Sequence, residues 1–212
     1  MGRSKKATPV TQPYLFGLNE LDPAGERILA PVRVRALACV GCKLSEFRSQ
    51  VVFGVGNSNK PDLAFLGTTP THHEDADGTP FGASPEGRKL DELLVLMGYK
   101  REDVYLTYTV MCRPPNERTP ERPEVQACSE HLIAELRAVR PKVIVALGAL
   151  ALIALGSAKI EAKARGVWTE WGHTPVMPTF SLSTLAQNPE SFRLAWQDMR
   201  HVLAKLGKTI PS

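Results

Sequence analysis

The sequence predicts an α/β protein with a central, mostly parallel sheet flanked by helices on both faces. Three observations predict it. Short apolar runs of strand length alternate with stretches whose apolar residues recur at helical spacing. The runs are apolar throughout, as strands buried on both faces are. The strongest of them, Val143-Ile144-Val145-Ala146-Leu147, closes on Gly148. With 212 residues the chain is long enough for one such domain with a sizeable core.

The elements follow in order. Residues 1–30 are rich in proline, glycine and charge and lack periodicity, and are expected to form an arm or tail ahead of a single domain over 31–212. Leu63–Gly67 reads as a buried strand, followed by a polar loop from Thr68 to Glu86. Leu90, Leu93, Leu94 and Met97 recur at helical spacing. Val104–Val110 reads as a second strand and Arg113–Pro123 as a proline-rich loop. Val125–Val139 is a helix with Ala127, Leu132, Leu136 and Val139 on its buried side. Lys142–Gly148 is the next strand, Ala149–Leu155 a short apolar helix and Val176–Ser181 a last strand. Pro189–Leu206 closes the chain as a helix, with Phe192, Trp196, Met199, Val202 and Leu203 at helical spacing. Strands that alternate with helices pair in parallel, and such folds bind ligands beyond the carboxyl ends of their strands. A site is therefore expected on the loops after Gly67, Val110, Gly148 and Thr179.

Hydrophobic residues make up 43% and charged residues 23% of the chain, the balance of an ordinary globular protein. No apolar run is long enough to span a membrane, and no apolar core follows the basic start Met1–Lys6, so a cytoplasmic monomer without a membrane partner is expected. The net charge of +4 permits a polyanionic partner, but on charge alone a solvated basic face is the favoured reading.

Four cysteines in a chain without an export signal point to metal or redox chemistry rather than disulfides. Cys39-Val40-Gly41-Cys42 is a close pair, while Cys112 and Cys128 lie far downstream with fifteen residues between them. Four thiolates close a tetrahedral zinc site or hold a [4Fe–4S] cluster. The uneven spacing leans toward the cluster. A thioredoxin-like redox pair would leave Cys112 and Cys128 unexplained.

Around these cysteines the sequence resembles the family-4 type, iron–sulfur members of the uracil-DNA glycosylase superfamily. The resemblance rests on an ordered set of segments. Cys39-x-x-Cys42-x-Leu44 leads to Val52-Phe53-Gly54-x-Gly56-Asn57, then Leu66-Gly67-x-x-Pro70 and Glu74-Asp75-x-x-Gly78-x-Pro80-Phe81. Cys112-Arg113-Pro114-Pro115-Asn116-x-Arg118-x-Pro120 follows, then Cys128, Pro141–Gly148, Arg165-Gly166 and Asn188-Pro189. The resemblance implies that family's α/β/α sandwich, a [4Fe–4S] cluster on Cys39, Cys42, Cys112 and Cys128, and hydrolysis of the N-glycosidic bond of a base flipped out of single- or double-stranded DNA.

It also assigns roles. Glu74 and Asp75 stand where the family has its acidic pair, Glu74 as the group that positions water. Phe81 stands where the family stacks the flipped base. Arg118 lies in the family's loop and is expected on DNA, while Leu185, Gln187 and Asn188 match the loop that wedges into the duplex. Four positions depart from the pattern. Thr68 and Thr69 replace an acidic residue and a small one. Tyr108 stands where an asparagine reads the uracil edge, and tyrosine cannot offer an amide's paired donor and acceptor. Ser181 stands where a histidine stabilises the departing base, and His72 or His73 is the candidate to replace that imidazole. A pocket with more hydroxyls suits a larger, more polar base than uracil. The expected substrate is a modified pyrimidine, such as the hydroxymethylated or glycosylated bases of phage DNA, which would give the protein an antiviral role. A non-catalytic DNA-binding protein, a slow uracil glycosylase and an electron-transfer module are the competing readings.

Overall fold

A computed structural model describes residues 23–156 and 165–210. Among the described residues six strands form one sheet: β1 (Val55–Gly56), β2 (Leu63–Gly67), β3 (Tyr105–Tyr108), β4 (Val143–Leu147), β5 (Thr169–Trp171) and β6 (Thr174–Thr179). Their order across the sheet is β1-β3-β2-β4-β6-β5. The four inner strands are parallel, and β1 and β5 pair antiparallel at the edges. The helices are α1 (Pro23–Leu37), α2 (His72–Asp77), α3 (Pro85–Met97), α4 (Arg122–Val139), α5 (Ala149–Ala154), α6 (Leu182–Gln187) and α7 (Pro189–Lys205). The expected α/β class and mostly parallel sheet are both present.

The pleat sorts side chains into two cores. Ala64, Leu66, Ile144 and Ala146 face α1, α4 and α5. Leu63, Phe65, Val143 and Val145 face α3, α6 and α7. Covering both faces is why these strands read as unbroken apolar runs, each fully buried leucine or valine contributing about 1.5–3 kcal/mol. β2 has β3 on one side and β4 on the other, so the chain leaves it in one direction and returns across it in the other. The crevice this creates opens at the carboxyl end of β2, as expected for such sheets.

Local chemistry sets the helix ends. Ser84 caps α3 by accepting the Gly87 N–H at 3.0 Å, and Pro85 fits the first turn, where its missing N–H costs nothing. Asn188 caps α7 by accepting the N–H groups of Glu190 and Ser191.

Three expectations need correction. The arm expected over 1–30 ends inside α1, which starts at Pro23 and packs against α4; Pro23, Gly25 and Pro31 hide its periodicity. Residues 1–22 lie outside the described residues. The polar loop from Thr68 to Glu86 contains α2, whose six residues are too short and too polar to show an apolar stripe. On α4 Ala127 is only half-buried, and the buried side also carries Glu124, Cys128 and Glu135.

Glu135 is fully buried among the residues of the first core. Its Oε1 accepts the Gly54 N–H at 3.0 Å and the Tyr105 hydroxyl at 2.8 Å, and its Oε2 accepts the Thr107 hydroxyl at 2.9 Å. Burial still dominates and pushes its carboxyl up to about 7. Gly54 cannot be replaced here, because a Cβ would lie 2.1 Å from Glu135 Oε1.

Candidate functional site

A cleft opens where expected, beyond the carboxyl ends of β2, β3, β4 and β6. It measures about 900 Å³ out to its open mouth. Two aromatic rings make its floor. Phe81 and Tyr108 pack with centroids 4.5 Å apart and planes at 42°, a tilted pairing worth about 0.5–1.5 kcal/mol beyond burial. The Phe81 N–H donates to the Tyr108 hydroxyl at 3.1 Å, which fixes Phe81 in a left-handed conformation (φ 52°). Gly67 makes the pairing possible, since a Cβ there would sit 2.7 Å from the Phe81 ring and 2.8 Å from the Tyr108 ring. Burial, followed by the charge of Glu74, holds the Tyr108 hydroxyl well above the ordinary tyrosine range, so it stays protonated.

The walls are rich in hydroxyls. Thr68, Thr69, Thr71, Ser181 and Ser183 line them. Ser181 caps α6, its Oγ accepting the Thr184 N–H at 3.3 Å and contacting the Ser183 and Thr184 hydroxyls. Thr68, Thr119 and Ser181 also border a second hollow that runs on past Gly148 and Ile153 to Arg165 and Phe180. Among the described residues, the two carboxylates lining the cleft are Glu86, in the first turn of α3, and Glu117, on the proline-rich loop. Neither figured among the residues expected from the sequence.

The expected acidic pair sits elsewhere. Glu74 is fully buried and is not among the residues lining the cleft. Its Oε2 accepts the Thr71 N–H at 2.8 Å and the Thr71 hydroxyl, while Thr71 Oγ1 accepts the His73 N–H, so the pair forms a capping box on α2. Its Oε1 has no hydrogen-bond partner among the described residues. Asp75, equally buried, accepts the Ser49 N–H at 3.0 Å and the Arg113 Nε–H at 3.2 Å. It ties α2 to the loops that carry Cys42 and Cys112.

His72 and His73 lie exposed at the start of α2, rings 3.9 Å apart. His72 reaches across to Glu117: its N–H donates to Glu117 Oε1 at 2.9 Å and its Nδ1 meets the same oxygen at 2.8 Å. These bonds hold the Glu117 carboxyl below its ordinary range. Asn116 and Glu117 are both left-handed, with φ 54° and 53°, a strain of about 1–2 kcal/mol per residue. Arg118 borders the cleft, but its guanidinium forks onto Glu124 at 2.7 and 2.8 Å.

Leu185 does not stand out as a wedge. It is 1% exposed and belongs to the second core, so α6 presents Ala186, Gln187 and Asn188 to solvent instead. A leucine in a polar stretch reads alike whether it points inward or outward, and here the α3–α6 packing draws it in.

The four cysteines do come together. Cys39, Cys42, Cys112 and Cys128 line one hollow with Arg48. Donors point at the sulfurs: Gly41 N–H at Cys39 Sγ (3.4 Å), Met111 N–H at Cys128 Sγ (3.4 Å) and Arg48 Nη1 at Cys112 Sγ (3.1 Å). Burial pushes the Cys128 thiol up to about 12 and raises that of Cys112 despite the guanidinium. Such thiols become thiolates at neutral pH only with a bound cationic group. An all-sulfur set with N–H donors fits an iron–sulfur cluster or zinc. Among the described residues, no three His, Cys, Asp or Glu side chains converge as the ligands of one ion would. Arg48 went unnoticed in the sequence, where a lone arginine carries no signal.

The family model described as "Uracil DNA glycosylase superfamily" matches residues 53–200, more than half of the chain. A Type-4 uracil-DNA glycosylase of Thermotoga maritima is 41% identical over 166 residues, covering 77% of this chain and 85% of that protein. A Type-4 uracil-DNA glycosylase of Saccharolobus solfataricus is 37% identical over 174 residues, covering 77% and 80%. A third, of Archaeoglobus fulgidus, is 44% identical over 116 residues, covering 54% and 57%. The chain belongs to the uracil DNA glycosylase superfamily, hydrolases that cut the N-glycosidic bond between a base and DNA. Among the described residues, no helix is long and apolar enough to cross a membrane.

Proposed function

We propose that the protein excises a modified pyrimidine, hydroxymethylated or glycosylated, from DNA and leaves an abasic site. The flipped base enters the cleft over the Phe81 ring, where stacking is worth about 1–3 kcal/mol for any planar base. The observation that carries the reading is Tyr108. Its hydroxyl already accepts the Phe81 N–H, which leaves one proton to donate. A uracil edge asks for a donor and an acceptor side by side, and a site lacking a required polar contact discriminates strongly. The hydroxyls of Thr68, Thr69 and Ser181 supply short, neutral partners for a polar substituent. Gln187 and Asn188, exposed at the end of α6, face the DNA together with Arg118.

Cys39, Cys42, Cys112 and Cys128 hold a [4Fe–4S] cluster in this reading. When bound, the cluster supplies a covalent cross-link between the start of the domain, the loop after β3 and α4. The convergence of all four cysteines on one hollow, with N–H donors at their sulfurs, supports it.

The test is a base-release panel with uracil, 5-hydroxymethyluracil, 5-hydroxymethylcytosine and glucosylated 5-hydroxymethylcytosine in single- and double-stranded oligonucleotides. Alkali-labile abasic sites are expected at a modified base, with uracil at least about 100-fold slower. Uracil as the fastest substrate, in line with the names of the relatives, would overturn the specificity. Tyr108→Asn is expected to raise uracil release. One observation favours a second reading, DNA binding without catalysis: Glu74 and Asp75 are both engaged in holding α2 and its neighbours. Steeply salt-dependent binding with no release of any base would establish it.

A further inference from the structure

Breaking a glycosidic bond with water calls for a carboxylate near the anomeric carbon, to take the water's proton or to face the positive charge that develops on the sugar. Thr68 offers none, and Glu74 and Asp75 lie outside the cleft. Of the two carboxylates that line it, Glu117 is held in place and Glu86 has no hydrogen-bond partner among the described residues. Both His72 donors land on Glu117 Oε1, which leaves Oε2 for another partner. Two successive left-handed residues, Asn116 and Glu117, turn the carboxylate toward the cleft. Strain of this kind collects at functional positions.

We infer that Glu117, oriented by His72, is the catalytic carboxylate of this enzyme. The inference rests on the glycosylase reading above. Water bonds through its oxygen to C1′ of the flipped nucleotide, and Glu117 Oε2 accepts the proton it gives up. The C1′–N bond breaks with its electron pair on the base. The base then regains the proton, so one water is consumed and no net charge is made. His72 is a positioning residue. Its imidazole and backbone N–H keep Oε1 occupied and Oε2 aimed.

Single-turnover rates on single-stranded oligonucleotides carrying 5-hydroxymethyluracil or uracil test this, with affinity measured on an oligonucleotide containing tetrahydrofuran, an abasic-site analogue. Glu117→Gln is expected to slow release about 100-fold or more while changing the tetrahydrofuran-DNA Kd less than threefold. His72→Ala is expected to slow release about tenfold, and His72→Asn, which restores a side-chain N–H, to recover part of that loss. A Glu117→Gln rate within threefold of wild type, or equal rates for His72→Ala and His72→Asn, would overturn the assignment and leave the glycosylase reading standing. No release from either oligonucleotide by the wild-type protein would remove the parent reading for these bases and the dyad with it. Unchanged thermal unfolding of the variants separates loss of catalysis from loss of fold.

Discussion

The cysteine nest and the cleft share the segment after β3 but are built from opposite materials. In the nest, four sulfurs face one hollow and are met by two backbone N–H groups and one guanidinium. That chemistry suits one kind of occupant. In the cleft, a tyrosine whose hydroxyl is already engaged floors a wall of neutral hydroxyls, and the carboxylates at its edge come from a strained loop and a helix start. Nothing there is tied to one base edge. The nest is rigidly specified and the cleft is adaptable. Mutations in the nest and in the two cores should therefore unfold the protein, and mutations that line the cleft should change its activity.

The largest effect is expected at the nest. Cys128→Ser should abolish the visible absorbance of the proposed cluster and lower Tm by roughly 10 °C or more, since about 1 kcal/mol shifts a domain of this size by about 2–4 °C. Retention of cluster and Tm would break the contrast. Leu185→Ala comes next. A wedge would lose DNA affinity at constant stability, whereas a core leucine should lose about 2–5 kcal/mol in urea unfolding, and its burial predicts the second outcome.

Glu135 gives a pH signature on the nest's side of the sheet. Its folded carboxyl is raised from 4.5 to about 7 by burial, so the folded state holds a proton that the unfolded chain has released. Its contribution is full below the unfolded value and is lost as pH rises from about 4.5 to about 7, at most about 3 kcal/mol. Glu135→Gln should flatten the stability profile in that window. A wild-type profile that rises there would show the burial to be less complete. The smallest effect belongs to the cleft. Tyr108→Phe leaves the buried Phe81 N–H without its acceptor and should cost about 1–2 kcal/mol, with altered base preference as the main readout.

Much of the fold was legible because four strands are buried on both faces and carry their pattern alone. β1 and β5 have two and three residues and no pattern to read. α1 was hidden by its prolines and α2 by its polarity, although Thr71-x-x-Glu74 is the signature of a capping box. That signature also explains the reading of Glu74. A carboxylate three residues into a helix looks the same in sequence whether it binds water or the helix's own first turn. The cysteines were legible because few other structures need four of them. Glu117 was not, because only the loop's left-handed turn brings it to the cleft, and no residue type announces that turn.

The stretch from Tyr108 to Cys112 has a mechanical consequence. Tyr108 floors the cleft and Cys112 lines the nest, four residues on, a reach of at most about 14 Å. Between them Thr109 N–H bonds to Gly67 O at 2.8 Å and Val110 N–H to Thr68 O at 3.0 Å, zipping the stretch to the cleft wall. Past β3 the backbone bends, so that Tyr108 belongs to the second core while Val110, Met111 and Cys112 all enter the first, and the segment works as a ruler. One residue added or removed would either turn the tyrosine away from the base or carry the cysteine out of the nest. Length as well as identity is therefore under constraint in this segment, and the two chemistries are indexed to each other by a count of residues.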